Sequence, residues 1–234
     1  MSYHWAVATD QGRVRKINQD SVHPTTAGKG EGPLVVLVAD GMGGHVAGER
    51  ASQVATERAV EAKGSLEQRV QEANLAIFEE VSDHPELAGM GTTMTMFELG
   101  EDDTVRFAHV GDSRGYLFRD GRLQQLTSDH TVVAEYLRQG AITPEEVASH
   151  PQRSLITRAL GLQPDIEIDT GEHPVEPGDR LLLCSDGVNS MIDEDAIAAS
   201  LKLATPEEAA WDLVEKANRA GGHDNITALV VEVY

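Results

Sequence analysis

The chain carries one cysteine, Cys184, in 234 residues, which excludes an internal disulfide framework and any cysteine-rich zinc module. Positive charge is scarce: 19 Lys and Arg stand against 39 Asp and Glu, for a formal net charge of -20 and a pI near 4.7. A phosphate backbone is held by clustered cations, so nucleic acid is excluded as a non-specific partner, and so is an anionic membrane surface. Long apolar runs are missing too. The longest, Leu34 to Ala39, is far short of the roughly 20 residues a membrane span needs. Met1-Ser2-Tyr3-His4-Trp5 shows no basic region followed by an apolar stretch, so no secretory signal is read there. A cytoplasmic location with no membrane association is expected. There is no low-complexity tract, internal repeat or Ser/Gly-rich linker, no paired-histidine metal motif such as HxxxH or HExxH, and no P-loop Gly-Lys-Ser/Thr.

What is present is enough apolar material for a sizeable core, 40% of residues, in a length that suits one large domain or two small ones. Leu34–Ala39 is continuous, rich in β-branched residues and bounded by glycine, as expected of a strand buried on both faces. Ala27–Pro33 reads as a hairpin loop before it. Helical periodicity runs from Val46 to Ala62 and from Leu66 to about Val81, the second opened by a Ser65/Gln68 capping box. Strand-like segments follow at Thr92–Leu99, Thr104–Val110, Tyr116–Phe118 and Leu123–Leu126, with Asp120-Gly121 as a hairpin turn. His130 to Leu160 reads as irregular helix, with a helix start at Thr143-Pro144-Glu145-Glu146; Thr205-Pro206-Glu207-Glu208 opens a helix to about Ala220. Arg180–Cys184 and Ile226–Val233 complete the strands. Many antiparallel strands with two helical pairs predict an α+β layered sandwich.

Carboxylates recur where apolar strands stop: Asp20 after the first strand, Asp40-Gly41, Gly111-Asp112-Ser113, Asp186-Gly187, and Asp224-Asn225 before the last. Any one Asp-Gly reads as a plain turn. Several gathered at strand ends repel one another unless cations neutralise them. Oxygen-only ligands suit hard divalent ions, Mg²⁺ or Mn²⁺, and not zinc. Two such ions sharing a carboxylate form an arrangement that hydrolyses phosphate esters.

In order along the chain stand Val14-Arg15-Lys16-Ile17-Asn18-Gln19-Asp20, Val38-Ala39-Asp40-Gly41-Met42-Gly43-Gly44-His45, Gly91-Thr92-Thr93, His109-Val110-Gly111-Asp112-Ser113-Arg114, Cys184-Ser185-Asp186-Gly187 and Gly222-His223-Asp224-Asn225. This ordered set, spanning about Thr9 to Tyr234, resembles the bacterial branch of the metal-dependent PP2C-type (PPM) serine/threonine protein phosphatases. The resemblance implies one catalytic domain over residues 1–234, a four-layer α/β/β/α sandwich with two central antiparallel sheets flanked by helix pairs. It implies hydrolysis of phosphoserine and phosphothreonine by a metal-activated water, with no phosphoenzyme. Asp40 would bridge two Mn²⁺ or Mg²⁺ ions. The Gly41 carbonyl would bind the second ion, Asp186 and Asp224 would complete the first, and Asp20 would support the second through water. Asp112 with Asp186 would hold a weaker third ion. Arg15 would fork onto the substrate phosphate, and Asn225 would orient Asp224 or a metal-held water.

Where animal members place a histidine directly after the Asp-Gly pair, this chain has Met42, with His45 three residues later. His45 is the candidate proton donor to the leaving serine oxygen, with a structural or substrate-contact role, or a metal-held water as acid, as alternatives. The stretch 131–160 corresponds to the family's variable flap. Its Arg138, Arg153 and Arg158 read either as solvated surface or, with Ser154, as phosphopeptide contacts; Arg153 and Ser154 are the expected substrate-binding pair. Gly111-Asp112-Ser113-Arg114-Gly115 fits a nucleophile elbow only if a helix follows it, and a strand is expected instead. Asn225-Ile226-Thr227 is formally a glycosylation sequon. Met90, Met94 and Met96 read as strand packing. The expected partners are phosphoprotein substrates, a Ser/Thr kinase among them, and the protein is expected to be a monomer. The other readings are a catalytically inactive phosphatase-like binding module and a partner-switching phosphatase of an anti-sigma-type regulator.

Overall fold

The computed structural model describes residues 1–44, 47–100, 102–147 and 149–234. The first half of the chain builds β1 (Ser2–Asp10), β2 (Asp20–His23), β3 (Gly28–Glu31), β4 (Leu34–Met42), α1 (Ala47–Glu61) and α2 (Leu66–Asp83). β5 (Gly91–Thr92), β6 (Met94–Leu99), β7 (Thr104–Val110), β8 (Arg114–Arg119) and β9 (Arg122–Gln125) follow, then α3 (Val132–Arg138) and α4 (Pro144–Val147). The rest is β10 (Asp169–Pro174), β11 (Arg180–Cys184), α5 (Asp186–Asn189), α6 (Glu194–Ser200), α7 (Pro206–Arg219) and β12 (Ile226–Val233). One sheet has the order β3-β1-β12-β11-β8-β9 and the other β10-β7-β6-β4-β2, with β5 paired to β4. Among the described residues no helix is long and apolar enough to cross a membrane.

Strand alternation sets the layers, because successive side chains point to opposite faces. In β12, Leu229, Val231 and Val233 face the second sheet, where they meet Val36, Val38, Phe97 and Leu99. Their neighbours Ala228 and Val230 face α7 and pack on Leu213 and Val214. In the other sheet Leu37, Met94 and Met96 face α1 and α2 and meet Ala55, Val70 and Ile77. Three apolar layers thus separate four structural ones, as expected. Met90, Met94 and Met96 are fully buried there.

The caps form where the sequence places them. Ser65 accepts from the Gln68 N–H while the Gln68 side chain returns to the Ser65 N–H, and Thr205 accepts from the Glu208 N–H ahead of Pro206. Asp120 and Gly121 both have positive φ, 51° and 79°, the geometry of a tight hairpin turn. One expectation fails. Ala27–Pro33 is not simply a loop: Gly28–Glu31 pairs antiparallel with β1 as an edge strand. Gly28 is required by Trp5, whose ring lies where a side chain would stand; a Cβ there would come 2.5 Å from Trp5 Cζ2.

Candidate metal centre

The polar site is the open end of the inter-sheet core. The row Val36, Val38 points between the sheets, and two residues further on, Asp40 has the same facing. Asp20 is its register partner on β2, so both carboxylates share one face. Opposite them, Thr227 precedes the inter-sheet residue Leu229 by two positions, and Ser185 follows Leu183 by two. The hydroxyls of Ser185 and Thr227 donate to Asp20 Oδ2 at 2.7 and 2.6 Å, tying the two sheets together at this end. Asp112 leaves the end of β7, Asp186 opens α5 and Asp224 precedes β12. Together with Arg15 and Gln19, Asp40, Asp112, Asp186 and Asp224 line a cleft of about 460 Å³.

Close backbone approach positions the ligands. A Cβ on Gly41 would collide with the carbonyls of Gly48 and Gln19, and one on Gly187 with the carbonyl of Asn225. Thr93 accepts from the Asp40 N–H at 2.9 Å, while the Asp40 carbonyl accepts from the Thr92 hydroxyl and the Thr93 N–H. Thr93 in turn shares a 2.7 Å bond with Ser113, which is fully buried. Ser113 therefore secures the turn that presents Asp112. Arg114–Arg119 after it is a strand, so the nucleophile-elbow pattern has no helix to support it.

Burial disfavours charge on these carboxyls, and their mutual repulsion adds to it. Burial pushes Asp20 up to about 7, with the Thr227 and Ser185 hydroxyls opposing and Asp186 and Asp224 reinforcing. Asp112 is likewise pushed up to about 7, first by burial and then by Asp186 and Asp129. Asp186 rises to about 6 through burial and Asp224, offset by a hydrogen bond with Asp40. Asp40 lies well above the carboxylate range, by burial first and then by repulsion from Asp20, Asp186, Asp112 and Asp224.

A hard cation fits this arrangement. Asp20 Oδ1 and Asp186 Oδ1 are buried without any hydrogen-bond partner, and buried carboxylates demand neutralisation. Among the described residues no three acidic, histidine or cysteine side chains already close into a cage. An ion here would complete its oxygen shell from the Gly41 carbonyl and water.

Arg15 Nη2 donates to Asp224 Oδ2 at 2.7 Å, and its side chain is half exposed at the cleft. The Asn225 backbone N–H donates to Asp224 Oδ1 at 2.9 Å. Its side chain does not orient Asp224 as expected. It holds the Arg15-bearing loop, accepting from Gln19 N–H and donating to the Gln11 and Ile17 carbonyls. At 3% exposure Asn225 is no glycosylation acceptor. Ser154 lines the cleft, but Arg153 lines an adjoining cavity of about 330 Å³ that shares Asp112, Asp186 and Ser154 with it. Arg158 faces elsewhere, in ion pairs with Glu167 and Asp169. Bridges Thr131↔Ile156 and Thr92↔Leu160 close the base of the 131–160 flap. His45 lies outside the described residues. Sequence reasoning passed over the bidentate Arg114–Asp129 pair beside Asp112, the Thr227 and Ser185 hydroxyls, and the apolar residues Leu155, Ile156 and Leu162, which line the cleft together with Met42.

Fold and site together define a two-sheet α/β/β/α sandwich with an acidic, cation-demanding cleft at one end of the inter-sheet core. The sequence profile of the family described as "Protein phosphatase 2C" matches residues 10–216. The chain belongs to that family. It is 42% identical over 247 aligned positions to the serine/threonine protein phosphatase PstP of Mycobacterium tuberculosis, covering 98% of this chain and 45% of that protein. It is 40% identical to the serine/threonine phosphatase stp of Listeria innocua, covering 98% of this chain and 95% of that protein. The crystal structure of M. tuberculosis PstP/Ppp superposes with a TM-score of 0.92 at 39% identity, over 100% of this chain and 99% of that one. The PstP catalytic domain in complex with two manganese ions gives 0.88 at 37% identity, over 100% and 99%. The chain thus spans less than half the length of the mycobacterial protein it matches.

Proposed function

We infer that residues 1–234 form one catalytic domain that hydrolyses phosphoserine and phosphothreonine on proteins, dependent on Mn²⁺ or Mg²⁺. The observation that carries this reading is the convergence of Asp40, Asp112, Asp186 and Asp224 on one cleft beside Arg15, with Asp20 beside Asp40 in the sheet register and its Oδ1 shielded from solvent. Asp40 would bridge two ions, with Gly41, Asp186, Asp224 and Asp20 completing their surroundings. Asp112 and Asp186, which also line the adjoining cavity, would hold a third. When bound, the ions neutralise the cluster and supply an activated water. Arg15 is placed to exchange its bond to Asp224 for the incoming phosphate, for which the guanidinium fork is suited. The buried hydroxyls of Ser113 and Ser185 are committed to Thr93 and Asp20, and burial pushes the Cys184 thiol up to about 12. None of them is an activated nucleophile, in keeping with direct hydrolysis by water. Phosphoproteins, including a Ser/Thr kinase, are the substrates that match this chemistry, in a cytoplasmic setting.

The test is aryl phosphate release with Mn²⁺, suppressed by EDTA and restored by added Mn²⁺ or Mg²⁺. Asp40→Ala and Asp224→Ala should abolish it while leaving the circular dichroism spectrum intact. Normal turnover by both variants in metal-supplemented buffer would overturn the assignment.

A further inference from the structure

We propose that the apolar wall of the cleft, Met42, Leu155, Ile156 and Leu162, selects phosphoprotein segments that carry a bulky apolar residue beside the phosphorylated serine or threonine. The proposal rests on the phosphatase reading and names its substrate class. Beside its four aspartates the cleft is lined by four large apolar side chains; Met42 and Ile156 are half-buried, and the two leucines are displayed, not packed. Leu155 and Leu162 are 51% and 52% exposed. Large apolar groups facing water inside a concave site mark a contact for something apolar.

The backbone under this wall is pinned. Leu160 and Thr92 exchange bonds of 2.9 and 3.1 Å, and the Gly161 N–H donates to Asn74 Oδ1 at 2.8 Å, which fixes the segment entering Leu162. Met42 and Leu162 sit side by side over Gly91: a Cβ there would stand 3.1 Å from Met42 Cε and 3.5 Å from Leu162 Cδ2. On the flap, the Leu155 carbonyl accepts from the Val132 N–H at 3.0 Å and Ile156 is bridged to Thr131. The backbone carrying these side chains is thus fixed by pairing to Thr131, Val132, Thr92 and Asn74.

The occupant follows from continuity. The phosphate belongs at Arg15 and the carboxylate cluster, and the wall is the other side of the same 460 Å³ space. A peptide with its phosphate seated therefore lays the side chain of an adjacent residue on the wall. Acidic flanks are disfavoured by a chain of net charge -20 whose cleft, among the described residues, offers Arg15 as its one lining arginine, engaged with the phosphate.

The experiment uses the Mn²⁺-loaded protein and four phosphothreonine peptides that differ only in the flanking residues, Leu, Ser, Asp or Lys, with O-phosphoserine as a substrate lacking flanks. One apolar side chain in a fitting pocket discriminates by on the order of tenfold, so kcat/KM for the Leu peptide should exceed that for the Ser peptide by about that factor. In the double variant Leu155→Ser/Leu162→Ser the ratio should fall to within about twofold. Because each ratio is taken within one enzyme, a partly unfolded variant does not distort it. Equal rates in the unmodified protein, a Lys or Asp peptide turned over best, or a ratio that survives the double substitution would each overturn the proposal. Turnover of O-phosphoserine without discrimination among peptides sinks this inference alone. No phosphate release from any substrate brings down the phosphatase reading, and this inference with it.

Discussion

Replacing Asn225 by alanine removes a side chain that joins two parts of the site. Asn225 is almost fully buried and makes three bonds to the loop carrying Arg15: 2.9 Å from Gln19 N–H, 3.0 Å to the Gln11 carbonyl and 2.8 Å to the Ile17 carbonyl. A net contribution of about 1 kcal/mol per bond gives a loss of about 3 kcal/mol. For a domain of this size that lowers Tm by about 6–12 °C. The backbone N–H of residue 225, which serves Asp224, survives the substitution. The damage therefore falls on Arg15 placement, and KM for a phosphorylated substrate should rise about tenfold, equivalent to about 1.4 kcal/mol, with a smaller change in kcat. Thermal unfolding by circular dichroism and steady-state kinetics with Mn²⁺ check both halves. A Tm within about 2 °C of the parent together with an unchanged KM would refute the reasoning, because the loop would then be held without Asn225.

Two further outcomes are expected. The Asp20 carboxyl is raised from 3.8 to about 7 in the fold, so its protonated form stabilises the metal-free protein at low pH and that contribution is lost as pH rises towards 7. Asp20→Asn stays neutral, so in EDTA its stability relative to the parent should improve by on the order of 2–3 kcal/mol between pH 5 and pH 8. Urea unfolding at the two pH values measures this, and a gap that does not move with pH would contradict it. Arg15→Ala should raise KM about tenfold with kcat nearly kept; aryl phosphate kinetics with an unaltered KM would remove Arg15 as the phosphate clamp.

Much of the architecture was legible because it is local or periodic. The near-continuous apolar runs Leu181–Cys184 and Ile226–Val233 already encode strands with two buried faces. Ser65/Gln68 and Thr205/Glu208 are caps whose partners lie three residues away. The cleft carboxylates stand out because each ends or precedes an apolar strand; antiparallel pairing brings the ends of β4, β7 and β11 and the start of β12 to one side. Other features have no local signature. Gly28–Glu31 looks like a loop until Trp5, more than twenty residues earlier, is laid across it. The flap arginines are alike in sequence, yet Arg153 lines a cavity beside the cleft while Arg158 is consumed by Glu167 and Asp169.

The sequence by itself determined the apolar central strands, the helix starts, the strand-end carboxylates and the acidity that makes a bound cation necessary, because each depends on residue type and near neighbours; the polar edge strands Gly28–Glu31 and Asp169–Pro174 it did not. Only the tertiary structure decided which groups those carboxylates meet. Ser185 and Thr227 reach Asp20 across 165 and 207 positions, and the Asn225 side chain reaches the Arg15 loop across 206 to 214. The same is true of the apolar wall, where Met42 and Leu162 become neighbours because Leu160 pairs with Thr92. Contacts between residues so far apart are set by sheet register and loop closure, and residue type constrains them only through the packing of the whole.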